Sequence, residues 1–376
     1  MVGDGRGARG ARVRAYDAVV VASHLRYDGV WQRPQHILTR FARDVPVLFV
    51  EEQFPSHEDR NEFAQYGNLT VLRPLRRRAE YTQLDDATIE AARQWLGARR
   101  PLVWLYTPML LRLADAFEGA PLVYDCMDEL AAFRFAPPRM REREAELLAR
   151  ADLVFTGGRS LFERRRALGE KVKLYPSGVE FEHFARARAL EPHPLYRRLV
   201  RPIYGYFGVI DERIDYAILT ALAESGASIV MVGPFAKIDP ATLPRKTSLH
   251  FTGQIAYSEL PRHLAGFDVA IMPFARNEAT AFISPTKTPE YLAGGKPVVS
   301  TSIADVVAGY GEVVRFADDA ASFATACATA CRPDPQRIGR GIALARAAGW
   351  DAIVASMAED IYGTFFGRLP ATMALP

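Results

Sequence analysis

Short apolar runs separated by amphipathic segments recur along most of this chain and limit the folds that it can adopt. Runs rich in Val, Leu and Tyr that alternate with helical periodicity are typical of parallel strands covered by helices. In the first half, segments with helical spacing lie at 33–43 and 86–96. The sequence therefore predicts an α/β fold. The strands predicted in this half are 16–22, 45–51, 69–73, 102–106, 122–125 and 153–156, with a shorter candidate at 172–175.

The same pattern begins again after a polar, proline-containing passage at 191–202, which is typical of a linker between globular units. Two Rossmann-like domains in tandem explain both halves. We predict a disordered tail at 1–12, a first domain at 13–195 and a second domain at 196–349. A final helix within 350–376 either closes the second domain or crosses back to the first. The strands predicted in the second domain are 203–207, 228–232, 249–251, 269–273, 298–300 and 313–316.

The composition excludes several classes of protein. Hydrophobic residues make up 49% of the 376 residues and charged residues 24%, so the chain can bury a large core and is not disordered as a whole. The net charge of +3 is too small for a protein that packages nucleic acid. The sequence contains no long apolar run and no apolar signal segment, and its three cysteines form no Cys-x-x-Cys pair. We therefore expect a cytoplasmic protein without a metal site.

One segment, 282–299, combines a loop, a helix, a glycine pair and a strand. Open parallel sheets bind ligands at the carboxyl ends of their strands, so two facing domains predict a cleft into which this helix begins. Ser284 or Thr286 is the expected N-cap, and Lys287 adds a positive charge to the helix dipole, which predicts an anion site. Glu290, one turn later, is suited to accept two hydrogen bonds from ribose hydroxyls. The alternative is an ordinary solvated helix face.

The segment resembles the nucleotide-sugar domain of GT-B glycosyltransferases, in the retaining group that contains sucrose synthase and many bacterial mannosyltransferases. In that group a Glu at the position of Glu290 holds the donor ribose, and a Gly-x-Pro-Val-Val strand follows, as at 295–299. The passage 250–274 continues the resemblance in the same order. The resemblance implies the GT-B fold, with an acceptor-binding first domain at 13–195 and a second domain at 196–349 that binds a nucleotide-sugar donor. It also implies that Gln254 and Ile255 read the base and that the turn at Gly208 lets the backbone approach the diphosphate.

The chain also departs from this family pattern. The common signature has a second Glu eight positions before the ribose-binding one, but Phe282 stands there. The Arg and Lys that usually grip the diphosphate after the first strand of this domain are replaced by 211–215, which leaves Arg213 as the candidate cation. The Ser-Pro-x-Lys motif at 284–287 resembles a bacterial subgroup associated with exopolysaccharide and teichuronic acid assembly.

Candidate residues of the first domain follow its predicted strands. His24 follows the first strand, and Arg33 and Gln35 open the next helix, so we expect them in the cleft beside the diphosphate or the acceptor. The alternative places His24 in a loop cap and Arg33 on the surface. Asp125 and Asp128 end an interior strand, where a carboxylate can take the proton of an acceptor hydroxyl as a general base. An N-cap and a loop hydrogen bond are their alternative roles, and Asp128 is the preferred base.

Arginine clusters at 76–78, 139–143 and 164–166 lie in the predicted first domain. They are either solvated faces or contacts to the anionic inner face of the cytoplasmic membrane, which would suit an enzyme with a lipid-linked acceptor. No recognised nucleic-acid-binding motif accompanies them, so nucleic acid is not a predicted partner.

The leading hypothesis is a metal-independent glycosyltransferase that moves a sugar from a nucleotide diphosphate, UDP-sugar favoured, to a hydroxyl of a glycan or lipid-linked acceptor. Because the chain has no Asp-x-Asp motif, we expect Lys287 and Arg213 rather than a metal to stabilise the leaving diphosphate. A nicotinamide-dependent oxidoreductase is disfavoured, since the turn after the first strand lacks Gly-x-Gly-x-x-Gly. A nucleotide-sugar 2-epimerase and a non-catalytic sugar-nucleotide-binding protein stay open, as does the stereochemistry of transfer.

Overall fold

Two β-sheets with helices on both faces organise the protein. The structure, a computed structural model, describes residues 16–366. The tail predicted at 1–12 and the end of the chain after residue 366 lie outside these residues. The α/β prediction is confirmed, because parallel strands joined by helices form both sheets.

The first sheet is nine-stranded, and its strands are parallel except for one hairpin partner. Alternate residues of its first strand belong to two different core clusters, Val20 to one and Val19 and Val21 to the other. Both faces are therefore covered, as expected for parallel strands that are apolar throughout. Its strands are β1 (Ala18–Ser23), β2 (Val47–Glu51), β3 (Phe54–Pro55), β4 (Arg60–Tyr66), β5 (Leu69–Arg76), β6 (Pro101–Leu105), β7 (Leu122–Cys126), β8 (Leu153–Thr156) and β9 (Val172–Leu174).

The sequence patterns did not predict β3 and β4. Strand β4 pairs antiparallel with β5, and Tyr66 lies opposite Leu69. Most of its side chains are exposed or half-buried, including Phe63 and Tyr66. A strand with solvent on both sides lacks the apolar run by which the other strands were recognised.

The second sheet is six-stranded and parallel, in the order β12-β11-β10-β13-β14-β15. Strands β11 and β12 lie on one side of β10 and strands β13 to β15 on the other. The strand order therefore reverses beside β10, where such sheets open a ligand crevice. Its strands are β10 (Ile203–Phe207), β11 (Ser228–Val232), β12 (Leu249–Phe251), β13 (Val269–Met272), β14 (Val298–Ser300) and β15 (Val314–Phe316).

Helices connect the strands of both sheets, and among residues 16–366 none is long and apolar enough to cross a membrane. The helices of the first half are α1 (Arg33–Phe41), α2 (Asp86–Leu96), α3 (Arg112–Ala116), α4 (Met140–Arg150), α5 (Arg159–Arg165) and α6 (Phe181–Ala185). Those of the second half are α7 (Tyr216–Glu224), α8 (Leu260–Gly266), α9 (Lys287–Ala293), α10 (Ala304–Tyr310), α11 (Ala320–Ala330), α12 (Pro335–Ala347) and α13 (Trp350–Phe366).

The last helix, α13, packs against the first sheet. Trp350, Met357 and Ile361 are buried in the core cluster that contains alternate residues of β1. At its first turn, Asp351 accepts hydrogen bonds from Arg40 Nε at 3.1 Å and from Arg43 Nη1 at 2.8 Å. The last helix, α13, which follows α12, therefore packs against the first sheet and not the second. The numerical domain boundaries given above stay a prediction.

Candidate active site

A cavity of about 550 Å³ lies between the two sheets, at the carboxyl ends of β1, β10, β11 and β12. Both halves of the chain contribute to its wall. The first half supplies Tyr27, Asp28, Gly29, Val30, Trp31, Thr39 and Tyr66. The second half supplies Phe207, Gly208, Val232, Gly233, Pro234, Gln254, Ile255, Ala256, Tyr257, Leu260, Lys287 and Glu290.

Two glycines bring the backbone of the second sheet close together at this cavity. Gly208 and Gly233 have φ angles of 145° and 146°, a region that favours glycine. A Cβ atom at Gly233 would overlap the carbonyl oxygen of Gly208, and one at Gly208 would lie 2.7 Å from Lys287 Cε. The N–H of Gly208 already donates to the carbonyl oxygen of Val232 at 2.9 Å. Gly208 therefore provides space beside Lys287 rather than a free N–H group.

Helix α9 begins at Lys287 without the predicted side-chain cap. Thr286 occupies the N-cap position with helical angles, φ −57° and ψ −25°, and no side-chain cap forms there among the described residues. A capping residue normally has extended backbone angles that aim its oxygen at the following N–H groups. Instead, Thr286 Oγ1 accepts a hydrogen bond from Lys287 Nζ at 3.3 Å. Ser284 lies against Gly158 of the first half of the chain.

Lys287 and Glu290 lie on the cavity wall and are not a solvated helix face. Only 5% of Glu290 is exposed, and Lys287 is half-buried. Burial raises the pKa of Glu290 to about 7, although the charge of Lys287 opposes this shift. Burial also lowers the pKa of Lys287, against the attraction of Glu290. Burial therefore makes both charged forms costly, and a ligand that binds them can lower that cost.

Arg213 lies near this pair but is already engaged. Its Nε donates to Asp211 Oδ1 at 2.9 Å, and its Nη2 donates to Asp211 Oδ2 at 2.7 Å. The guanidinium carbon also lies 5.6 Å from the ring centre of Phe133, a first-half residue. A diphosphate would therefore have to share Arg213 with Asp211, which leaves Lys287 as the more accessible cation.

Asp128 faces the charged groups of the second half from across the cleft. Burial raises its pKa to about 6, while Arg213 and Lys287 favour its charged form. Asp128 is half-buried and is not among the residues that line the 550 Å³ cavity. Asp128 therefore lies close enough to Arg213 and Lys287 to interact with their charges but is not part of the cavity wall.

Asp125 and Arg33 form a buried ion pair with each other, which departs from the expectation that both face a substrate. Arg33 Nε donates to Asp125 Oδ1 at 2.9 Å, and Arg33 Nη1 donates to the carbonyl oxygen of Tyr175 at 2.7 Å. Asp125 is 0% exposed and Arg33 2%. Because Asp125 lies inside β7 and not after it, its carboxylate stays within the domain. This arrangement offers neither side chain to the cavity.

Gln35 and His24 are also not among the residues that line the cavity. Gln35 is fully buried, and its Nε2 donates to the carbonyl oxygen of Tyr27 at 3.1 Å. This hydrogen bond holds the loop 27–31, whose residues line the cavity. His24 is half-buried, and burial together with the charge of Lys237 lowers its pKa to about 4. The imidazole of His24 is therefore neutral at physiological pH.

The predicted arginine clusters are largely paired with carboxylates. Arg76 is buried and bonded to Asp85. Arg139 pairs with Glu142 at 2.8 Å. Further pairs of this kind are Arg143–Glu146 in the same cluster and Arg165–Glu129 and Arg166–Glu163 in the third. This pairing favours the solvated-face alternative for much of this surface. Contact with a membrane stays a prediction.

Comparisons with known proteins agree with this geometry. Residues 209–332 match the family described as Glycosyl transferases group 1. Over 238 residues the chain is 25% identical to a Bacillus subtilis (strain 168) protein named "Putative teichuronic acid biosynthesis glycosyltransferase TuaH". The match covers 58% of this chain and spans only 59% of the length of that curated relative.

Solved structures resemble the chain over nearly its whole length. Sucrose-phosphate synthase from Thermosynechococcus elongatus has a TM-score of 0.69 at 16% identity, covering 93% of this chain and 99% of that one. An Escherichia coli structure, described as "Trehalose-6-phosphate from E. coli bound with UDP-2-fluoro glucose", has a TM-score of 0.65 at 14% identity, covering 92% and 98%.

The protein therefore has the GT-B fold, in which two Rossmann-like domains face a central cleft. This confirms the fold implied by the sequence resemblance. Within that fold, residues 209–332 are similar to the group 1 glycosyltransferases, and the chain is distantly similar to the TuaH protein.

Proposed function

We propose that this protein transfers a sugar from a nucleotide diphosphate donor, UDP-sugar favoured, to a hydroxyl of a glycan or lipid-linked acceptor in cell-surface or exopolysaccharide synthesis. The observation that carries the proposal is the pair of Lys287 and Glu290 on the wall of a cavity between two sheets. One turn of α9 thereby presents a cation for the diphosphate and a carboxylate for the ribose. The match of 209–332 to group 1 glycosyltransferases supports it.

Lys287 is suited to the departure of the nucleoside diphosphate. The leaving group gains negative charge as the bond to the sugar breaks, so a fixed cation stabilises the transition state more than the bound donor. Burial lowers the pKa of Lys287, so the negative charge of a bound diphosphate would favour the charged form of Lys287.

Asp128→Asn is expected to lower turnover by about 10²–10⁴-fold if Asp128 is the general base. With a pKa of about 6, its carboxylate is mostly ionised at neutral pH and can accept a proton from the acceptor. Initial rates and donor affinity measured on both proteins test this, and donor affinity should persist. Normal turnover in a folded variant would remove Asp128 from this role.

Asp125→Asn is the matched control, since it makes the same change three residues away. It leaves Arg33 buried without its partner, which is expected to cost about 3–5 kcal/mol of stability. Thermal denaturation of the two variants therefore separates the residues. If Asp128→Asn were the less stable of the two, a structural role for Asp128 would explain its effect on activity.

Metal independence is a further prediction, because Lys287 supplies positive charge where a divalent ion would otherwise act. We expect turnover to persist in excess EDTA. Turnover that stops in EDTA and returns with Mg²⁺ would contradict this part of the proposal.

A thermal-shift screen tests the function directly. UDP-glucose, GDP-mannose and NAD are added in turn, since a ligand at about 100 times its dissociation constant stabilises the fold by about 2.7 kcal/mol. We expect stabilisation by a sugar nucleotide, followed by sugar transfer to an acceptor in lipid extracts. Release of an altered sugar nucleotide without acceptor would indicate an epimerase, and binding without turnover a non-catalytic protein. Tight binding of NAD alone would contradict the proposal.

A further inference from the structure

A second set of contacts joins the two halves of the chain outside the cavity wall. Gly158 and Ser160 lie at the start of α5 in the first half. They meet Ser284 and Asp305 of the second half, and none of these four residues lines the cavity. Helix α9 begins shortly after Ser284, at Lys287. The contact therefore lies next to the candidate site without forming part of it.

Asp305 caps helix α5 from the opposite half of the chain. The first N–H groups of a helix have no partner within it, and the side chain just before the helix normally accepts from them. Gly158 occupies that position in α5 and has no side chain with which to accept. Instead, Asp305 Oδ1 accepts a hydrogen bond from the backbone N–H of Ser160 at 2.9 Å and another from Ser160 Oγ. The cap of α5 is therefore complete only while the two halves are together.

Gly158 is needed at this contact for space and not for its backbone angles. Its φ of −168° is extended and open to any residue. A Cβ atom at this position would overlap Asp305 Oδ2 and would lie 2.8 Å from Ser284 Cβ. A larger residue would therefore push the two halves apart or displace those side chains.

Phe282 and Ile283 are neighbours in the chain but pack into different halves. Phe282 packs against the core cluster of the first half that contains Leu161 of α5, and the guanidinium carbon of Arg164 lies 5.0 Å from its ring centre. Ile283 is buried in the core cluster of the second half. The position at which the family pattern has a second Glu therefore attaches the loop before α9 to the first half.

We propose that Phe282 and Asp305 are positioning residues for sugar transfer, an inference that rests on the function proposed above. They fix α9, and with it Lys287, relative to the first half, where the acceptor is expected. Transfer requires contact between the sugar carbon and the acceptor oxygen, and a displacement of about 1 Å can lower such a rate about 10²-fold. Lys287 and Glu290 lie together on α9, so the affinity for a nucleoside diphosphate should depend little on these contacts.

Two substitutions disturb the contact from opposite sides, and each has a matched control. Gly158→Ala introduces the overlapping Cβ in the first half, and Asp305→Ala removes the cap from the second. Gly309→Ala adds a methyl group to α10, the helix of Asp305, where among residues 16–366 the new Cβ meets no other part of the chain within 4 Å. Asp319→Ala removes a capping carboxylate that accepts from the N–H of Ser322 at 3.0 Å within the second half.

The experiment measures turnover and nucleotide binding separately. Turnover is the release of UDP from UDP-glucose or of GDP from GDP-mannose with a bacterial lipid extract as acceptor, and calorimetry measures the binding of UDP and GDP. Gly158→Ala and Asp305→Ala are expected to lower turnover about 10–10²-fold and to leave the dissociation constants nearly unchanged. Both controls should turn over like the wild type, although Asp319→Ala, like Asp305→Ala, should lower the melting temperature because a helix loses its cap.

Phe282 is tested by two substitutions of different size. Phe282→Ala should lower turnover in the same way, because the loop before α9 loses its contact with the core of the first half. Phe282→Leu keeps an apolar side chain that can fill much of the same space, so it should retain most of the wild-type turnover.

Four results would overturn the positioning role. Normal turnover in Gly158→Ala or Asp305→Ala would refute it and leave the proposed function standing. An equal loss of turnover in Asp319→Ala would show that lower stability explains the effect. Equally weakened binding of the nucleotides would show that the contacts shape the donor site and not the approach of the two substrates. A wild type that releases no nucleoside diphosphate would refute the proposed function and the positioning role together.

Discussion

Replacing Lys287 with methionine is expected to lower turnover by about 10²–10³-fold, the usual effect of removing one group that stabilises developing negative charge. Methionine keeps the unbranched stem that packs against Gly208 and removes only the charge. Because burial already lowers the pKa of Lys287, the folded protein without donor should not lose stability. Single-turnover rates with saturating donor measure the effect on the chemical step.

Lys296→Met is the matched control, since it removes a second lysine of the same part of the chain. Lys296 Nζ donates to the carbonyl oxygens of Ala265 and Phe267 at 3.0 and 2.8 Å, outside the cavity. Its loss is expected to cost about 1–3 kcal/mol of stability and to change turnover little. A Lys287 variant that loses stability but keeps normal turnover would show that Lys287 is structural.

The sheets could be predicted because most of their strands can be recognised from an apolar run of only a few consecutive residues. Strands such as Leu153–Thr156 and Ile203–Phe207 are buried on both faces, so each reads as one apolar run. Strand β4 could not be recognised in this way, because most of its side chains meet solvent and β5 supplies its hydrogen-bond partners. Its position at the cavity, through Tyr66, was consequently missed as well.

The same distinction between local and distant contacts applies to the candidate site. Lys287 and Glu290 lie on one helical turn, so their common exposure to the cavity follows from the helix period. Gln254 and Ile255 also line the cavity, while the base-reading role that the family resemblance implied for them stays a prediction. Arg33 and Asp125, by contrast, are 92 positions apart, and only the fold shows that they neutralise each other. No local pattern could indicate that pair.

Two aromatic residues of the cavity wall illustrate a further limit. Trp31 and Tyr257 come from different halves of the chain and meet only where the two sheets face each other. In the sequence each is an isolated aromatic residue, and most such residues belong to a core. Proximity to Gly208 and Lys287, and not residue type, makes them candidates for a ligand site.

Glu290→Gln is expected to weaken binding of a sugar nucleotide by about 1–3 kcal/mol, because a neutral amide accepts weaker hydrogen bonds from the ribose than a carboxylate does. For the wild type, affinity should rise as the pH increases through about 7, where Glu290 becomes ionised. Calorimetric titrations between pH 6 and 8 (roughly one unit either side of that pKa) measure both effects. Glu312→Gln, at an exposed position outside the cavity, should bind donor like the wild type.

The same substitution should make the protein without donor less sensitive to pH. Glu290 has a pKa of about 7 in the fold against an ordinary value of 4.5. The folded state therefore holds this proton more tightly than the unfolded state, and the associated stability is lost as the pH rises from 4.5 to about 7. Glutamine carries no such proton, so the stability of Glu290→Gln relative to wild type should increase over that window and then level off. If the stability of Glu290→Gln relative to wild type did not change with pH, the carboxylate of Glu290 would be hydrated in the cleft. A hydrated carboxylate would bind the ribose hydroxyls less strongly than a buried one.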